Sequence, residues 1–183
     1  MGSLYRYFVE GQCEKKILRE YMFLQEGPRF IDGKVEVMNF VNEKISPIFA
    51  RTIKRDTTVV IVIDTDVNNI ATFEENMKTL KRVAMLDDDH IWVVKSVKNF
   101  EDELVYSSDV SNVHRLFGTK GIAEFKTKFI NHSDIKSKLA DVGFSLNKLW
   151  TREGEPPFDR YPNCGHKIKL GLKRDDVEKS KRI

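Results

Sequence analysis

Cysteine is scarce in this sequence, because the chain of 183 residues has only Cys13 and Cys164. So few thiols argue against a zinc site, and Cys13 falls on the apolar stripe of a predicted helix, which is typical of a buried, reduced thiol. No apolar run approaches the length of a membrane span, and no signal-peptide pattern opens the sequence. We therefore expect a cytoplasmic protein that does not bind a membrane.

Phosphate-binding glycine loops, internal repeats and low-complexity segments are also missing. Without a Walker-type lysine, the chain is not expected to hydrolyse ATP by itself. Its length suits one domain, or one domain with an appendage, and allows a sizeable core.

The net charge of +3 is small, and the basic excess is confined to the C-terminus. Residues 163–183 contain seven Lys or Arg against three Asp or Glu, which leaves 24 against 25 in the rest of the chain. A basic tail could attract the phosphates of nucleic acid, since that attraction is long-range and independent of sequence. From Lys173 onward, a solvated terminus explains the same residues equally well.

The most informative segment is the apolar run from Thr58 to Ile63, which ends in Asp64-Thr65-Asp66. A continuous run of β-branched residues predicts a strand buried on both faces of a parallel sheet. Ligands of open α/β sheets bind at the carboxyl edge, so we expect both acids at the functional edge. They could share one Mg²⁺ ion, which prefers oxygen ligands. The alternative is that Asp64 caps the next helix and Asp66 is a solvated loop residue.

A second predicted strand, Leu4 to Val9, also ends in an acid, Glu10, and Gly11 gives the backbone freedom to turn into a helix. Phe8-Val9-Glu10-Gly11, together with the later Val-Ile-Asp64-Thr65-Asp66, resembles the Toprim domain. That fold is shared by type IA and II topoisomerases, bacterial primases, ribonucleases of the M5 type and the nuclease half of the overcoming-lysogenisation-defect (OLD) proteins. The resemblance covers residues 4–107 and is greatest to the small stand-alone nucleases.

The resemblance implies that Asp64 and Asp66 hold Mg²⁺ or Mn²⁺, and that Glu10 is a metal ligand or the general acid/base. Many Toprim proteins carry a third acid where this chain has Asn68.

Stand-alone Toprim proteins often carry a further acid after the fourth strand, and this chain is similar there. Glu101 or Glu103 could therefore complete the metal site. The same acids in the first turn of a helix could equally serve only to favour the helix dipole.

Several lysines are candidates for holding a nucleic-acid backbone. Lys95 and Lys98 follow the fourth predicted strand at the edge that carries the acids, and could stabilise charge on a reacting phosphate. Lys167 and Lys169 belong to the alternating segment His166 to Leu172, which predicts a last edge strand. A solvated surface position is the alternative for each of them.

The remaining pattern predicts an α/β fold with a Toprim-like sheet of about four mainly parallel strands, flanked by helices, and a small C-terminal helical extension. We expect a catalytic domain at 1–107, a helical extension packed on it at 108–162, and a basic strand or tail at 163–183. The other predicted elements are a first helix from Cys13 to Leu24, a strand Lys34–Asn39, a helix within Val41–Ile53, a helix opened by a capping box of Thr72 and Glu75, a solvated turn at Asp87–Asp89, a strand His90–Lys95, a helix capped by Asn99, and short helices at 122–130, 133–142 and 145–150.

The resemblance implies a Mg²⁺-dependent nuclease acting on DNA or RNA, since the chain lacks the extra domains of a topoisomerase or primase. Likeness to the OLD proteins adds an ATPase partner and a role in phage defence as expectations.

Two rival interpretations of the sequence stay open. A receiver-like signalling domain also places acids at this edge, but it would need a pair of acids after the first strand. A non-catalytic Toprim module that binds nucleic acid or a protein would tolerate the acid missing at Asn68.

Overall fold

The computed structural model describes residues 4–154 and 156–171. Its strands are β1 (Leu4–Val9), β2 (Arg29–Phe30), β3 (Lys34–Val37), β4 (Thr57–Asp64), β5 (Ile91–Ser96) and β6 (Lys169–Leu170). Its helices are α1 (Gln12–Met22), α2 (Pro47–Ala50), α3 (Ala71–Val83), α4 (Phe100–Tyr106), α5 (His114–Phe117), α6 (Ile122–Asn131) and α7 (Ile135–Ala140).

The main sheet has four strands in the order β3-β1-β4-β5, and every neighbouring pair is parallel. This confirms the predicted α/β class with helices around a parallel sheet. Strand β4, which contains the apolar run before Asp64, lies inside the sheet. It is buried along its whole length except at Asp64. Because β1 and β4 are parallel neighbours, their carboxyl ends reach the same edge.

Two hydrophobic clusters cover the two faces of the sheet. On one face, Val60 and Val62 of β4 join Ile17 and Leu18 of α1. The other side chains of β4, from Val59, Ile61 and Ile63, point to the opposite face. They pack there against α3 and the segments around α2, and the buried apolar residues of α3 are Phe73, Met77 and Leu80. Successive side chains of β4 point to opposite faces of the sheet, and both faces are covered by other elements. Every position from Val59 to Ile63 is therefore apolar.

The helices after α4 pack on the α1 side of the sheet. Both α6 and α7 contact α1, and Phe125 and Phe129 of α6 are buried in the same cluster as Val60. Trp150 joins this cluster and stacks at a tilt on Phe30 and Phe100.

The helix predicted within 41–53 is present but is only the four-residue α2. The sequence allowed Ser46-Pro47 to be either a kink or the start of the helix, and it is the start, with Ser46 Oγ accepting from Phe49 N. The preceding turn is held by the Asn76 side chain, which binds Phe40 O, Glu43 O and Ile45 N. A buried amide thus replaces helical hydrogen bonds that the apolar spacing had suggested.

Two predicted helical features are wrong. The capping box is not formed, because α3 begins at Ala71, whose N–H donates to Asn69 Oδ1. The segment 145–150 forms hydrogen-bonded turns rather than a helix. Asn99 does cap α4 as predicted, by accepting from Asp102 N, and Asp87–Asp89 are exposed.

The last described strand, β6, pairs antiparallel with β2 and forms a separate two-stranded sheet. The predicted edge strand at 166–172 is therefore short, and the rest of the basic tail, 172–183, lies outside the described residues. No helix in the described part of the chain is long and apolar enough to cross a membrane.

Candidate functional site

Glu10 and Asp64 meet at the carboxyl edge of the sheet. The backbone N–H of Asp64 donates to Glu10 Oε1 at 3.0 Å, and Asn39 Nδ2 donates to Glu10 Oε2 at 3.0 Å. The side-chain oxygen of Asn39, Oδ1, in turn accepts from Val41 N and Asn42 N, so the loop after β3 holds the side-chain amide in place. The Glu10 carboxyl group is therefore fixed between the ends of β3 and β4.

Glu14, which sequence reasoning did not select, is the third acid of this edge. It lies one turn into α1 on the buried face of the helix, between Cys13 and Ile17, and its side chain is almost completely enclosed. Gly11 permits this, because a Cβ at Gly11 would lie 2.9 Å from Glu14 Oε2. The signal in the sequence was an acid at an apolar position of the helical stripe, four residues after Glu10.

Three carboxyl groups, those of Glu10, Glu14 and Asp64, form what we call the acidic cluster. Burial is the largest cause that raises the pKa of each of them, and the charges of neighbouring acids add to the shift. Burial, followed by the charges of Glu14 and Glu10, raises the pKa of Asp64 to about 9, although a hydrogen bond from the Ser96 side chain opposes the shift. Burial also raises the pKa of Glu10 to about 7. The pKa of Glu14 is raised by burial first, with the charge of Glu101 adding to it. At neutral pH the cluster therefore retains protons that exposed carboxyls would lose.

Asp66 lies beside the cluster on an exposed loop. The N–H groups of Thr65 and Asp66 both donate to Lys98 O, at 2.9 and 3.1 Å, and Lys98 N donates to Thr65 Oγ1. Lys98 has a φ of 64°, in the left-handed region. Its backbone therefore positions the Asp64-Thr65-Asp66 turn, and its own side chain is exposed.

The side chains of Glu101 and Glu103 have different surroundings. The charge of Glu101 raises the pKa of Glu14, and its Oε1 lies 3.2 Å from Lys126 Nζ. Glu101 therefore adjoins the acidic cluster, and the neighbouring ammonium of Lys126 is paired with it.

Glu103 is completely buried away from solvent, and its two oxygens are occupied. They accept from Val97 N at 3.0 Å, from Trp150 N at 3.0 Å and from the Arg152 guanidinium at 2.7 and 3.0 Å. Glu103 thus joins the end of β5 to the segment around Trp150.

The predicted phosphate-binding lysines are dispersed. Lys95 is the penultimate residue of β5, near the acidic edge, but it is fully buried, with its ammonium 3.3 Å from Glu153 Oε2. Lys167 is exposed and lies over the ring of Trp92, the second residue of β5, at the opposite end of that strand. Lys169 is buried and donates to the carbonyl oxygens of Asn147 and Leu149, and burial lowers its pKa to about 7. Neither Lys167 nor Lys169 is brought to the acidic cluster.

The donor set of the acidic edge fits a hard divalent cation, since it consists of carboxylate oxygens. Among the described residues, no group of three or more His, Cys, Asp or Glu side chains is arranged to hold a metal ion as it stands. What the fold and the site define is an α/β protein with a cluster of buried and partly buried carboxyl groups at the carboxyl edge of its sheet. Comparison with protein-family models, with curated proteins and with solved structures found no match to the chain. The Toprim resemblance therefore rests on the two sequence motifs.

Proposed function

We propose that the protein is a Mg²⁺- or Mn²⁺-dependent nuclease that hydrolyses phosphodiester bonds of DNA or RNA. The observation that carries this proposal is the crowding of Glu10, Glu14 and Asp64 at the sheet edge, with raised pKa values and with the neighbouring Lys126 paired to Glu101. Buried like charges are costly unless protons or a cation compensate them. A divalent cation bound by these carboxylates would compensate their like charges and would also serve in catalysis.

Asp64 and Asp66, with Glu10 or Glu14, would hold the metal. When bound, the metal would neutralise the scissile phosphate and lower the pKa of a water molecule. Glu10, whose pKa is about 7, could accept a proton from water near neutral pH if it is not itself a ligand. Its hydrogen bonds from Asp64 N and Asn39 orient the carboxyl group for either role.

The nucleic-acid backbone would meet the exposed ammonium of Lys98 next to Asp66. The basic residues beyond position 171 would add attraction that salt weakens. A cytoplasmic location, an ATPase partner and a role in phage defence, all drawn from the sequence, belong to the same proposal.

A partner-activated or non-catalytic binding module is the second candidate. It is favoured by Asn68, which stands where many proteins of the resembled Toprim family carry a third acid. In that case the purified protein would bind nucleic acid without cutting it, and substitution of Asp64 would leave the binding intact.

The deciding experiment is cleavage of labelled single- and double-stranded DNA and RNA by the purified protein in Mg²⁺, Mn²⁺ or EDTA. Asp64→Asn should lower metal-dependent cleavage by more than about 100-fold, because it removes a charged metal ligand. Asp88→Asn is the matched control, since Asp88 is exposed and lies just before β5, at the opposite edge of the sheet. Cleavage that Asp64→Asn retains would overturn the proposal.

A further inference from the structure

Lys95 is a buried cation whose partner is at the surface. Its side chain is completely buried at the end of β5, whereas the side chain of Glu153, whose Oε2 is 3.3 Å from Lys95 Nζ, is 67% exposed. A buried ammonium needs a compensating acceptor. If Glu153 left this position, the Lys95 ammonium would therefore attract another anion strongly.

The other buried ion contacts of this region are built differently. Lys169 donates to the backbone carbonyls of Asn147 and Leu149, which cannot leave without unfolding the segment. Arg152 pairs with Glu103, whose side chain is completely buried. Glu153 can instead rotate into water, so the Lys95–Glu153 contact is one that a ligand can replace.

A second donor points at the same carboxylate oxygen. Asn163 N donates to Glu153 Oε2 at 3.1 Å. Asn163 itself is fixed by its side chain, which accepts from Lys95 N at 3.2 Å and Gly165 N at 3.0 Å, and donates to Trp150 O at 3.2 Å. An ammonium and a backbone N–H held on a fixed framework therefore converge on one point now occupied by a carboxylate oxygen. That is the chemistry of an oxyanion site.

This point is next to the acid-bearing turn. The residue after Glu153 is Gly154, and a Cβ there would lie 3.0 Å from Lys95 Cδ and 3.3 Å from Thr65 Cγ2. Thr65 separates Asp64 from Asp66. The segment carrying Glu153 is thus packed directly against both Lys95 and the turn proposed to hold metal.

We propose that Glu153 is an internal ligand of a phosphate-binding site made by the Lys95 ammonium and the Asn163 N–H, and that a phosphate of the nucleic-acid backbone displaces it. The identity of this ligand as a nucleic-acid phosphate rests on the nuclease function proposed above. Because the site is occupied by its own carboxylate, the apparent affinity for phosphate is the intrinsic affinity multiplied by the fraction of molecules in which Glu153 has left the site.

The test compares Glu153→Gln with the wild type in EDTA, with two probes: inorganic phosphate by calorimetry, and a short single-stranded oligonucleotide by fluorescence anisotropy. Glu153→Gln removes the competing charge at an exposed position and should bind both probes about tenfold more tightly. Asp88→Asn, which removes the same charge at the opposite edge, should bind as the wild type does. Adding Lys95→Met to Glu153→Gln should abolish the gain.

Equal affinity of Glu153→Gln and Asp88→Asn would overturn the proposal, and so would a gain that survives Lys95→Met. If Lys95→Met fails to fold, the comparison of Glu153→Gln with Asp88→Asn decides alone. A gain for inorganic phosphate without one for the oligonucleotide would overturn the nucleic-acid assignment. Since both probes are used without metal, the result is independent of cleavage: a protein that cuts nucleic acid but shows no gain would leave the nuclease proposal standing and overturn the role of Glu153.

Discussion

The backbone N–H of Asp64 donates to the carboxyl group of Glu10 at 3.0 Å, across 54 residues of sequence. This bond joins the ends of β1 and β4 and brings two carboxyl groups into the same partly buried space. Burial first, and then the charges of Glu14 and Glu10, raise the pKa of Asp64. This arrangement therefore lowers the free energy of unfolding, and the size of that loss should depend on pH.

The first prediction is that Asp64→Asn stabilises the metal-free protein increasingly as pH rises. The pKa of Asp64 is raised from 3.8 to about 9 by folding, so the folded state holds a proton that the unfolded state releases between these values. Stability from this group is fully present below pH 3.8 and is lost as pH rises toward about 9. The advantage of Asp64→Asn should grow by up to about 1.4 kcal/mol for each pH unit in this window.

Urea unfolding of both proteins in EDTA, at intervals from pH 5 to pH 9, measures this advantage. Asp88→Asn serves as the control for removing a charge, and its effect should not follow the same slope. An advantage of Asp64→Asn that stays constant with pH would contradict the buried, protonated state of Asp64.

The second prediction concerns Glu14. If the acidic cluster holds a divalent cation, Mg²⁺ at 100 times its dissociation constant should stabilise the wild type by about 2.7 kcal/mol. Glu14→Gln should reduce that stabilisation strongly, because the variant removes a carboxylate that lies inside the cluster. Glu20→Gln, on the same helix and paired with Lys16, is the matched control and should respond to Mg²⁺ as the wild type does. Thermal unfolding with and without Mg²⁺ at pH 8 makes the measurement, and an equal response of both variants would exclude Glu14 from the site.

The sequence was sufficient to predict the parts of the fold that depend on continuous patterns. The apolar run before Asp64 permits only a buried strand, and parallel order then brings Glu10 to the same edge. Glu14 was missed, although it lies on the apolar stripe of α1, because a single acid in a short helix is usually solvated. Its burial and the close approach of its carboxyl group to Gly11 depend on packing that the sequence pattern does not specify.

Contacts between distant segments account for the other differences. Asn76 of α3 holds the 40–45 turn on the same face of the sheet, across more than 30 residues of sequence, and nothing in the local spacing indicates this. Lys169 is directed into the interior because β6 pairs with β2 rather than with the main sheet. Glu101 and Glu103 are two residues apart and therefore lie on different sides of α4, so the sequence left both open.

The third prediction separates these two acids by their effect on the free energy of unfolding. Glu103→Gln should destabilise the protein by about 3–5 kcal/mol, because it leaves the Arg152 guanidinium without its buried carboxylate. Glu101→Gln should change stability by less than about 1 kcal/mol, since its ion pair with Lys126 is partly exposed. Urea unfolding gives both values. Similar losses in the two variants would mean that Glu103 is not the structural acid of the pair.

The fourth prediction is that Ser96 positions Asp64. Ser96 is fully buried, lies opposite Asp64 in the neighbouring strand and bonds its carboxyl group, while the Trp150 indole donates to Ser96 Oγ at 3.2 Å. Ser96→Ala should weaken Mg²⁺ binding by about 10–100-fold, which is typical of losing a group that orients a metal ligand. Ser96→Thr, which keeps the hydroxyl, should restore most of the affinity. Calorimetric titration with Mg²⁺ measures the effect, and an Ala variant with unchanged affinity would show that the Trp150–Ser96 contact serves packing alone.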